Sequence, residues 1–325
     1  MDDTIAKIPA QGEPWDVIIL GSGPAALTAA IYTTRGSAST LIIGGEKWGG
    51  QLMLTSTVDN FPGFPEGVQG PDLMMAMRKQ AERFGAEFLE KNATEVEISK
   101  RPFTVSVGTE KYLAKALIVA TGAQTLWLDA PGIKELIGRG VSSCAPCDAP
   151  FFRDKKVAVV GGGDSAMEEA FVLTKYASGV TIIHRRDAFR ASAAMQQKVL
   201  NNPKIKIMWN SEVTEAKGTD KLTSLVIKNN KDGSTAELPF DGLFVAIGHK
   251  PLSDLFKGKL TLEDNGCIKN FYDKYHSATS VAGVFVSGDV LDAQYKQAAT
   301  SVGTGCIAGM DAIKFLEESP PAPGS

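Results

Sequence analysis

The chain has 325 residues, 43% of them hydrophobic; this is enough for two domains with separate cores and excludes a disordered chain. Its 34 basic and 37 acidic side chains give a formal charge of -3, which argues against a nucleic-acid partner. No apolar run approaches the roughly 20 residues that span a bilayer, and Met1–Thr4 do not open a secretion signal, so we expect a cytoplasmic protein without a membrane partner.

One pattern occurs twice along the chain. Apolar runs at 17–20 and 157–160 each lead into a glycine-rich turn, and each turn is followed by an Ala-rich stretch with helical spacing. A second apolar run follows each helix, at 40–43 and 180–183. The sequence therefore predicts two βαβ units.

A second repeated pattern predicts the domain boundaries. Buried-strand runs at 116–122 and 242–248 both end at a glycine. We expect an α/β fold of two Rossmann-like domains, in which residues 126–250 are inserted between the two parts of the other domain, 1–125 and 251–325. A domain inserted in this way favours hinge motion. Residues 1–14 and the Pro-rich tail after Glu318 are expected to be dispensable.

The glycine turns point to two nucleotides. A glycine-rich turn between strand and helix lets backbone approach a pyrophosphate, and two copies in the same setting are a strong signal. After the second unit the sequence reads His184-Arg185-Arg186-Asp187-Ala188-Phe189-Arg190. Guanidinium groups at this position suit the 2′-phosphate of NADPH, although a solvated surface cluster is the plain alternative.

The first unit has different surroundings, which favour FAD. Gly44, Gly45, Gly49 and Gly50 follow its second strand. Glu46 there is compatible with a ribose contact or with a free surface carboxylate. Much later, Asp289 follows a short strand at 284–286, where its carboxylate can bind a sugar-like hydroxyl chain.

Cys144-Ala145-Pro146-Cys147 precedes the second unit. A C-x-x-C pair in a cytosolic chain is a redox dithiol or half of a zinc site, and no matching His or Cys pair accompanies it. Zinc is therefore disfavoured, and we interpret Cys267 and Cys306 as structural. Asp148 is placed to exchange a proton with the thiols, or to cap the helix that follows.

The combined motifs resemble those of the low-molecular-weight thioredoxin reductases over nearly the whole chain. The matching strings are Gly-Ser-Gly-Pro-Ala at 21–25, Gly-Gly-Gln-Leu at 49–52, Asn-Phe-Pro-Gly at 60–63, Ala-Thr-Gly at 120–122, the cysteine pair, Gly-Gly-Gly-Asp at 161–164, His-Arg-Arg-Asp at 184–187, Ala-Ile-Gly-His at 246–249 and Gly-Asp at 288–289.

This resemblance implies specific roles for residues in the matching strings. The FAD contacts it implies are Ser22, Gly23, Pro24, Ala25, Gly50, Gln51, Asn60, Asp289, Lys296, Gln297 and Ala298. The NADPH contacts are Ser165, His184, Arg185, Arg186 and Arg190. Cys147 would face the flavin, Cys144 would attack the disulfide of a thioredoxin or thioredoxin-like protein, and Asp148 would serve as acid and base.

The resemblance also implies a homodimer whose NADPH domain rotates between two poses. The chain departs from the family pattern at Trp48, Pro146, Ala149-Pro150 and Lys296. A dithiol oxidase, or a reductase of another small disulfide, is the alternative enzyme on this fold, and the arginine cluster argues against the oxidase. A non-catalytic nucleotide-binding protein is disfavoured by the cysteine pair beside Asp148.

Overall fold

A computed structural model describes residues 8–55 and 57–318. The predictions for the first residues and for the tail after Glu318 lie largely outside this range. The strands are β1 Trp15–Leu20, β2 Thr40–Ile43, β3 Thr57–Val58, β4 Val68–Gln69, β5 Glu87–Leu89, β6 Glu95–Glu97, β7 Phe103–Val107, β8 Glu110–Val119, β9 Ala123–Thr125, β10 Val141–Ser142, β11 Lys156–Val160, β12 Gly179–His184, β13 Ile205–Trp209, β14 Ser211–Lys217, β15 Ser224–Asn229, β16 Thr235–Pro239, β17 Gly242–Val245, β18 His249–Pro251 and β19 Val284–Val286. The α-helices are α1 Pro24–Arg35, α2 Gly70–Arg83, α3 Ala145–Asp148, α4 Asp164–Leu173, α5 Ala193–Leu200 and α6 Ala298–Glu318, and 3-10 turns lie at Gly50–Leu54, Ala149–Phe152, Asp254–Phe256 and Gly288–Val290.

The chain divides into two compact units. One contains the chain up to Gln124 and from Lys250 onward, and the other contains Thr125–His249. Both division points fall one residue before the boundaries expected from the sequence. The α/β class and the two βαβ units are confirmed, because β1-α1-β2 and β11-α4-β12 each form a parallel pair joined by a helix.

The first unit is built on a sheet of order β5-β2-β1-β8-β7-β6, with β19 also paired to β8. The strands from β5 to β8 and β19 are parallel, and β7 and β6 are antiparallel additions. β1 and β2 are almost continuously apolar and buried, as strands covered on both faces must be. Helix α1 packs on this sheet, and α6 packs closely on α1, where Gly305 lies against the Ala25 carbonyl.

The second unit has a five-stranded parallel sheet of order β10-β17-β11-β12-β13, and β14-β15-β16 form a separate antiparallel sheet. On α4, the side chains of Ala166, Met167, Ala170 and Leu173 are buried against the parallel sheet. This packing holds the N-terminus of α4 at the carboxyl ends of β11 and β12, where ligands bind in open α/β sheets.

Candidate active site

The glycine turns of the two units have the same local geometry. Gly21 has φ +115°, and a Cβ there would lie 2.1 Å from the carbonyl oxygen of Ala120, just after β8. Gly161 has φ +156°, and its Cβ would lie 2.4 Å from the carbonyl oxygen of Ala246, just after β17. Only glycine fits both the conformation and the space. Each turn therefore brings backbone and a helix N-terminus to the end of its sheet.

In the first unit this turn opens onto a cavity of about 580 Å³. The predicted FAD contacts that line it are Ser22, Gly23, Pro24, Ala25, Gly50, Gln51, Asp289, Lys296, Gln297 and Ala298. The N-termini of α1 and α6 both reach the cavity, since Pro24 and Ala298 begin these helices. Both termini favour a bound anion such as a pyrophosphate.

Two of the predicted FAD contacts, Ser22 and Asn60, differ from the others in their relation to this cavity. The hydroxyl of Ser22 is buried; it donates to the Gly44 carbonyl at 2.6 Å and accepts the Gly49 N–H at 2.9 Å. The side chain of Ser22 therefore links the turn to the glycine-containing loop after β2. Because its hydroxyl is used in this way, the backbone of Ser22 is the part left to contact a ligand in the cavity. Asn60 is not among the lining residues, and its amide nitrogen donates to the lining residue Gln297 at 3.1 Å.

Asp289 is a half-buried acid that lines the cavity. Burial raises the pKa of its carboxyl group, an effect that a hydrogen bond from Ser301 Oγ at 3.0 Å opposes. A charge in this position is stabilised when a ligand donates hydrogen bonds to it. The carboxyl group thus suits a ligand with hydroxyl groups.

Lys296 lies in a loop built around Asp292. Its backbone has φ +48°, its N–H donates to Asp292 Oδ2 at 2.9 Å, and its ammonium group donates to the Ala293 carbonyl. This loop directs Gln297 and the start of α6 toward the cavity.

In the second unit the arginine cluster lies beside the glycine turn. Arg190 N–H donates to the Gly162 carbonyl at 2.8 Å, which fixes the segment after β12 next to the turn. Arg185, Arg186 and Arg190 are all exposed, and Ser165 is exposed in the first turn of α4. These four predicted contacts share an open face at the end of the sheet.

His184 was also predicted to contact NADPH, but the structure places its ring beneath the turn. The side chain is 6% exposed, and its Nε2 is 3.0 Å from the Ala188 carbonyl oxygen. Its ring fills the space that a Cβ of Gly162 would occupy, and it packs against Phe189 and Trp209. His184 therefore supports the turn from below, because apolar packing has buried its ring.

The cysteine pair begins helix α3 in the second unit. Cys144 and Cys147 form a disulfide, with their Cα atoms 5.3 Å apart. The N–H groups of Cys147 and Asp148 both donate to the Cys144 carbonyl, at 3.2 and 3.1 Å. Pro146 lies in the first turn of α3, where a helix leaves N–H groups unused, so the departure at this position costs no helical hydrogen bond.

Asp148 is connected to the cysteine pair through Ser142, a residue that the sequence analysis missed. Ser142 Oγ donates to Asp148 Oδ2 at 2.5 Å and accepts the Cys144 N–H at 3.1 Å. The alternative role of Asp148 as a helix cap is wrong, because its side chain makes no capping hydrogen bond to the turn that follows. The polar chain holds the carboxylate near the dithiol instead.

Glu169 is a second acid at this site, and the sequence analysis also missed it. It lies on α4 and accepts a hydrogen bond from the Ala145 N–H. The pKa of Glu169 is raised to about 8, chiefly by burial and also by the nearby charges of Asp148 and Glu168, against the opposing hydrogen bond from Ala145. The available signal was an acid within the apolar spacing Ala166, Ala170 and Leu173 of α4.

The other two cysteines belong to the first unit. Cys267 is buried and Cys306 is partly exposed; both have free thiols. Burial raises the pKa of the Cys267 thiol. Within residues 8–55 and 57–318, no cluster of three or more His, Cys, Asp or Glu side chains is arranged to hold a metal ion. In that same part of the chain, no helix is both long and apolar enough to cross a membrane.

Known proteins resemble this chain in both sequence and fold. The family model for pyridine nucleotide-disulphide oxidoreductases matches residues 15–305. The thioredoxin reductase of Streptomyces coelicolor is 50% identical over 304 residues, which cover 93% of this chain and 94% of that protein. The thioredoxin reductase of Mycolicibacterium smegmatis is 46% identical over 303 residues, covering 93% and 97%. The solved thioredoxin reductase of Giardia duodenalis superposes with a TM-score of 0.89 at 43% identity, covering 94% of this chain and 99% of that chain.

Proposed function

The chain belongs to the thioredoxin reductases of the pyridine nucleotide-disulphide oxidoreductase family, and on this premise we propose that Cys144 and Cys147 carry reducing equivalents to the disulfide of a thioredoxin. The observation that carries the proposal is the Cys144–Cys147 disulfide and its link to Asp148. Ser142 Oγ accepts the Cys144 N–H and donates to the carboxylate of Asp148. As a member of this family the chain is an oxidoreductase that depends on FAD and NADPH.

We assign FAD to the first unit. The cavity offers a glycine turn without room for a Cβ, two helix N-termini, and the half-buried carboxyl group of Asp289. This set of groups fits a dinucleotide that carries both a pyrophosphate and a hydroxylated chain. Gln297, positioned by the loop around Asp292, would contact the ring system, and Asn60 would hold the Gln297 amide in place.

We assign NADPH to the second unit. Its glycine turn would receive the pyrophosphate, and Ser165 lies in the first turn of the helix that follows. The exposed guanidinium groups of Arg185, Arg186 and Arg190 would bind the 2′-phosphate, because each offers several N–H donors to phosphate oxygens. His184 contributes by supporting Gly162 from below.

When bound in these sites, NADPH and FAD would supply the two electrons that reduce the Cys144–Cys147 disulfide. The chain's own cysteines then complete the reaction. The Cys144 thiolate attacks one sulfur of the oxidised thioredoxin, forms a mixed disulfide and releases the other sulfur as a thiolate. The Cys147 thiolate attacks Cys144, which re-forms the internal disulfide and releases reduced thioredoxin.

Asp148 would hold and return the proton that this exchange moves. Its carboxylate accepts a hydrogen bond from Ser142, and Ser142 in turn accepts the Cys144 N–H, so the acid is fixed relative to the attacking cysteine. A protonated carboxyl group held at this place can give its proton to a leaving thiolate, and the carboxylate so formed can recover a proton from the next thiol. We also expect the enzyme to be a cytoplasmic homodimer, which a molar-mass measurement and cell fractionation would test.

The proposal is tested by reconstituting the purified chain with FAD and supplying NADPH, a thioredoxin and an aromatic disulfide as the final acceptor. We expect acceptor reduction that requires both NADPH and thioredoxin. Cys144→Ser and Cys147→Ser should both abolish it while leaving reduction of the flavin by NADPH intact. Oxygen consumption with a small dithiol, independent of NADPH, would instead indicate a dithiol oxidase and overturn the proposal.

A further inference from the structure

Two successive backbone amides, those of Cys144 and Ala145, donate to side-chain oxygens. The Cys144 N–H donates to Ser142 Oγ, which is bonded to Asp148. The next amide, Ala145 N–H, donates directly to the carboxyl group of Glu169. The exchange mechanism uses Asp148 but assigns nothing to Glu169. A half-buried acid that binds the backbone between the two cysteines is therefore an unexplained part of the site.

The position of Glu169 is set by the packing of two helices. Helix α3 packs on α4, and the neighbours of Glu169 on α4, Ala166 and Ala170, are fully buried. Glu169 thus projects toward the first turn of α3, where Ala145 N–H is one of the amides that a helix cannot satisfy internally. Its carboxyl group satisfies a donor that would otherwise be buried without a partner.

The charged groups that act on Glu169 are carboxylates. Asp148 on α3 and Glu168 on α4 both oppose its ionisation, and burial opposes it more strongly. The remaining ionisable groups on elements packed against α4 are Lys156 of β11, His184 of β12 and Lys198 of α5. None of these three groups contributes to the raised pKa of Glu169.

We propose that Glu169 is a positioning residue of the dithiol, and that its ionisation limits the reactivity of Cys144 and Cys147 in alkaline solution. The neutral carboxyl group holds Ala145 without adding charge. The ionised group still accepts the Ala145 N–H but adds a negative charge beside the thiols. That charge opposes the formation of thiolates, which are the reactive species. This role rests on the proposed function only in treating the pair as a working dithiol.

The test is the pH profile of thiol alkylation. The reduced protein is treated with iodoacetamide between about pH 6 and about pH 10, and modification of Cys144 and Cys147 is followed by peptide mass spectrometry. Glu169→Gln keeps an oxygen acceptor for Ala145 but cannot ionise. We expect wild type and variant to react alike below about pH 7, and the variant to react about threefold faster between about pH 8 and about pH 9, where Glu169 is ionised and the thiols only partly so. Superimposable profiles would overturn the proposal.

Glu135→Gln is the control, because it removes an exposed carboxylate of the same unit that does not act on Glu169. Its profile should follow the wild type. If Glu169→Gln fails to fold, infrared spectroscopy of the wild type gives the answer: a protonated-carboxyl band should disappear as the pH rises through about 8. The absence of such a band would also overturn the proposal.

The thioredoxin assay separates this inference from the proposed function. An active wild-type enzyme with superimposable alkylation profiles contradicts only the role of Glu169. A wild-type chain without NADPH-dependent thioredoxin reduction, but with distinct profiles, contradicts only the proposed function.

Discussion

Ser142 and Asp148 share a hydrogen bond of 2.5 Å, and the same Ser142 hydroxyl accepts the Cys144 N–H. One buried hydroxyl group at the end of β10 thus fixes both the proposed acid and the proposed attacking cysteine. A hydroxyl group is both a donor and an acceptor, so Ser142 makes both contacts by itself. The relationship gives the first two predictions.

Ser142→Ala removes both hydrogen bonds and leaves the Cys144 amide and the Asp148 carboxylate without this partner. We expect kcat for thioredoxin reduction to fall about tenfold, because the reacting groups lose their fixed geometry. The free energy of unfolding should fall by about 1–2 kcal/mol. Ser143→Ala, at the adjacent half-buried position, is the control and should retain normal kcat. An unchanged kcat in Ser142→Ala would contradict the positioning role.

Asp148→Asn preserves the shape of the side chain but removes its ability to exchange a proton. We expect the rate of disulfide exchange with thioredoxin to fall about 100-fold. Reduction of the flavin by NADPH, measured by stopped-flow absorbance, should be unchanged because that step does not involve the carboxylate. Equal losses in the two steps would show that the substitution disturbs the whole unit, and would contradict the assigned role.

Arg185→Ala with Arg186→Ala tests the 2′-phosphate contact. Both side chains are exposed beside the glycine turn, so their removal should leave the fold intact. We expect the KM for NADPH to rise about 10- to 100-fold, through loss of charge-assisted hydrogen bonds, and the KM for NADH to change far less. Arg139→Ala removes another exposed arginine of the second unit as a control. Equal effects on the two coenzymes would exclude the phosphate contact.

The features that could be predicted from sequence are those with local signals. Apolar runs that lead into glycine turns predicted both βαβ units, because buried parallel strands and phosphate-binding turns impose fixed patterns on neighbouring residues. The His-Arg-Arg string predicted arginines that contact NADPH; they are exposed after β12, and the contact itself stays a prediction. The string could not show that His184 turns inward, since that depends on packing against Phe189 and Trp209.

The missed residues depend on contacts between distant segments. Ser142 is separated from its partner Asp148 by the bend that leads into α3, and nothing in the sequence around it indicates that bend. Glu169 is 24 positions from Ala145, and its role appears only once α4 is packed on α3. An acid on the apolar face of a helix was the one signal present, and interpreting it required knowing what that face covers.

Asp289→Asn tests the acid of the first cavity. Loss of the charge should weaken FAD binding by about tenfold or more, measured by titrating the flavin-free protein, because hydrogen bonds to a carboxylate are stronger than those to an amide. Ser301→Ala removes the neighbouring hydroxyl but keeps the carboxylate, and should weaken binding less.

Asp289→Asn should also change how the stability of the flavin-free protein depends on pH. Burial raises the pKa of Asp289 in the folded state, so its stabilising contribution is present in acid and is lost as the pH rises through that pKa. Asp289→Asn removes this loss. The variant should therefore melt at a higher temperature than wild type at neutral pH but not in acid. An identical pH dependence in the two proteins would contradict the assigned burial.

Glu169→Gln should alter stability over a pH range that the structure defines. Burial raises the pKa of Glu169 from 4.5 to about 8, so the folded protein binds a proton that the unfolded chain releases between these values. The stabilising contribution of Glu169 is complete below about pH 4.5 and declines until about pH 8. The melting temperature of the variant relative to wild type should therefore rise across this range and stay level above it. Glu135→Gln removes an exposed carboxylate that does not act on Glu169, and should show no such trend. A constant difference between Glu169→Gln and wild type from acid to alkaline pH would mean that Glu169 ionises normally in the folded protein.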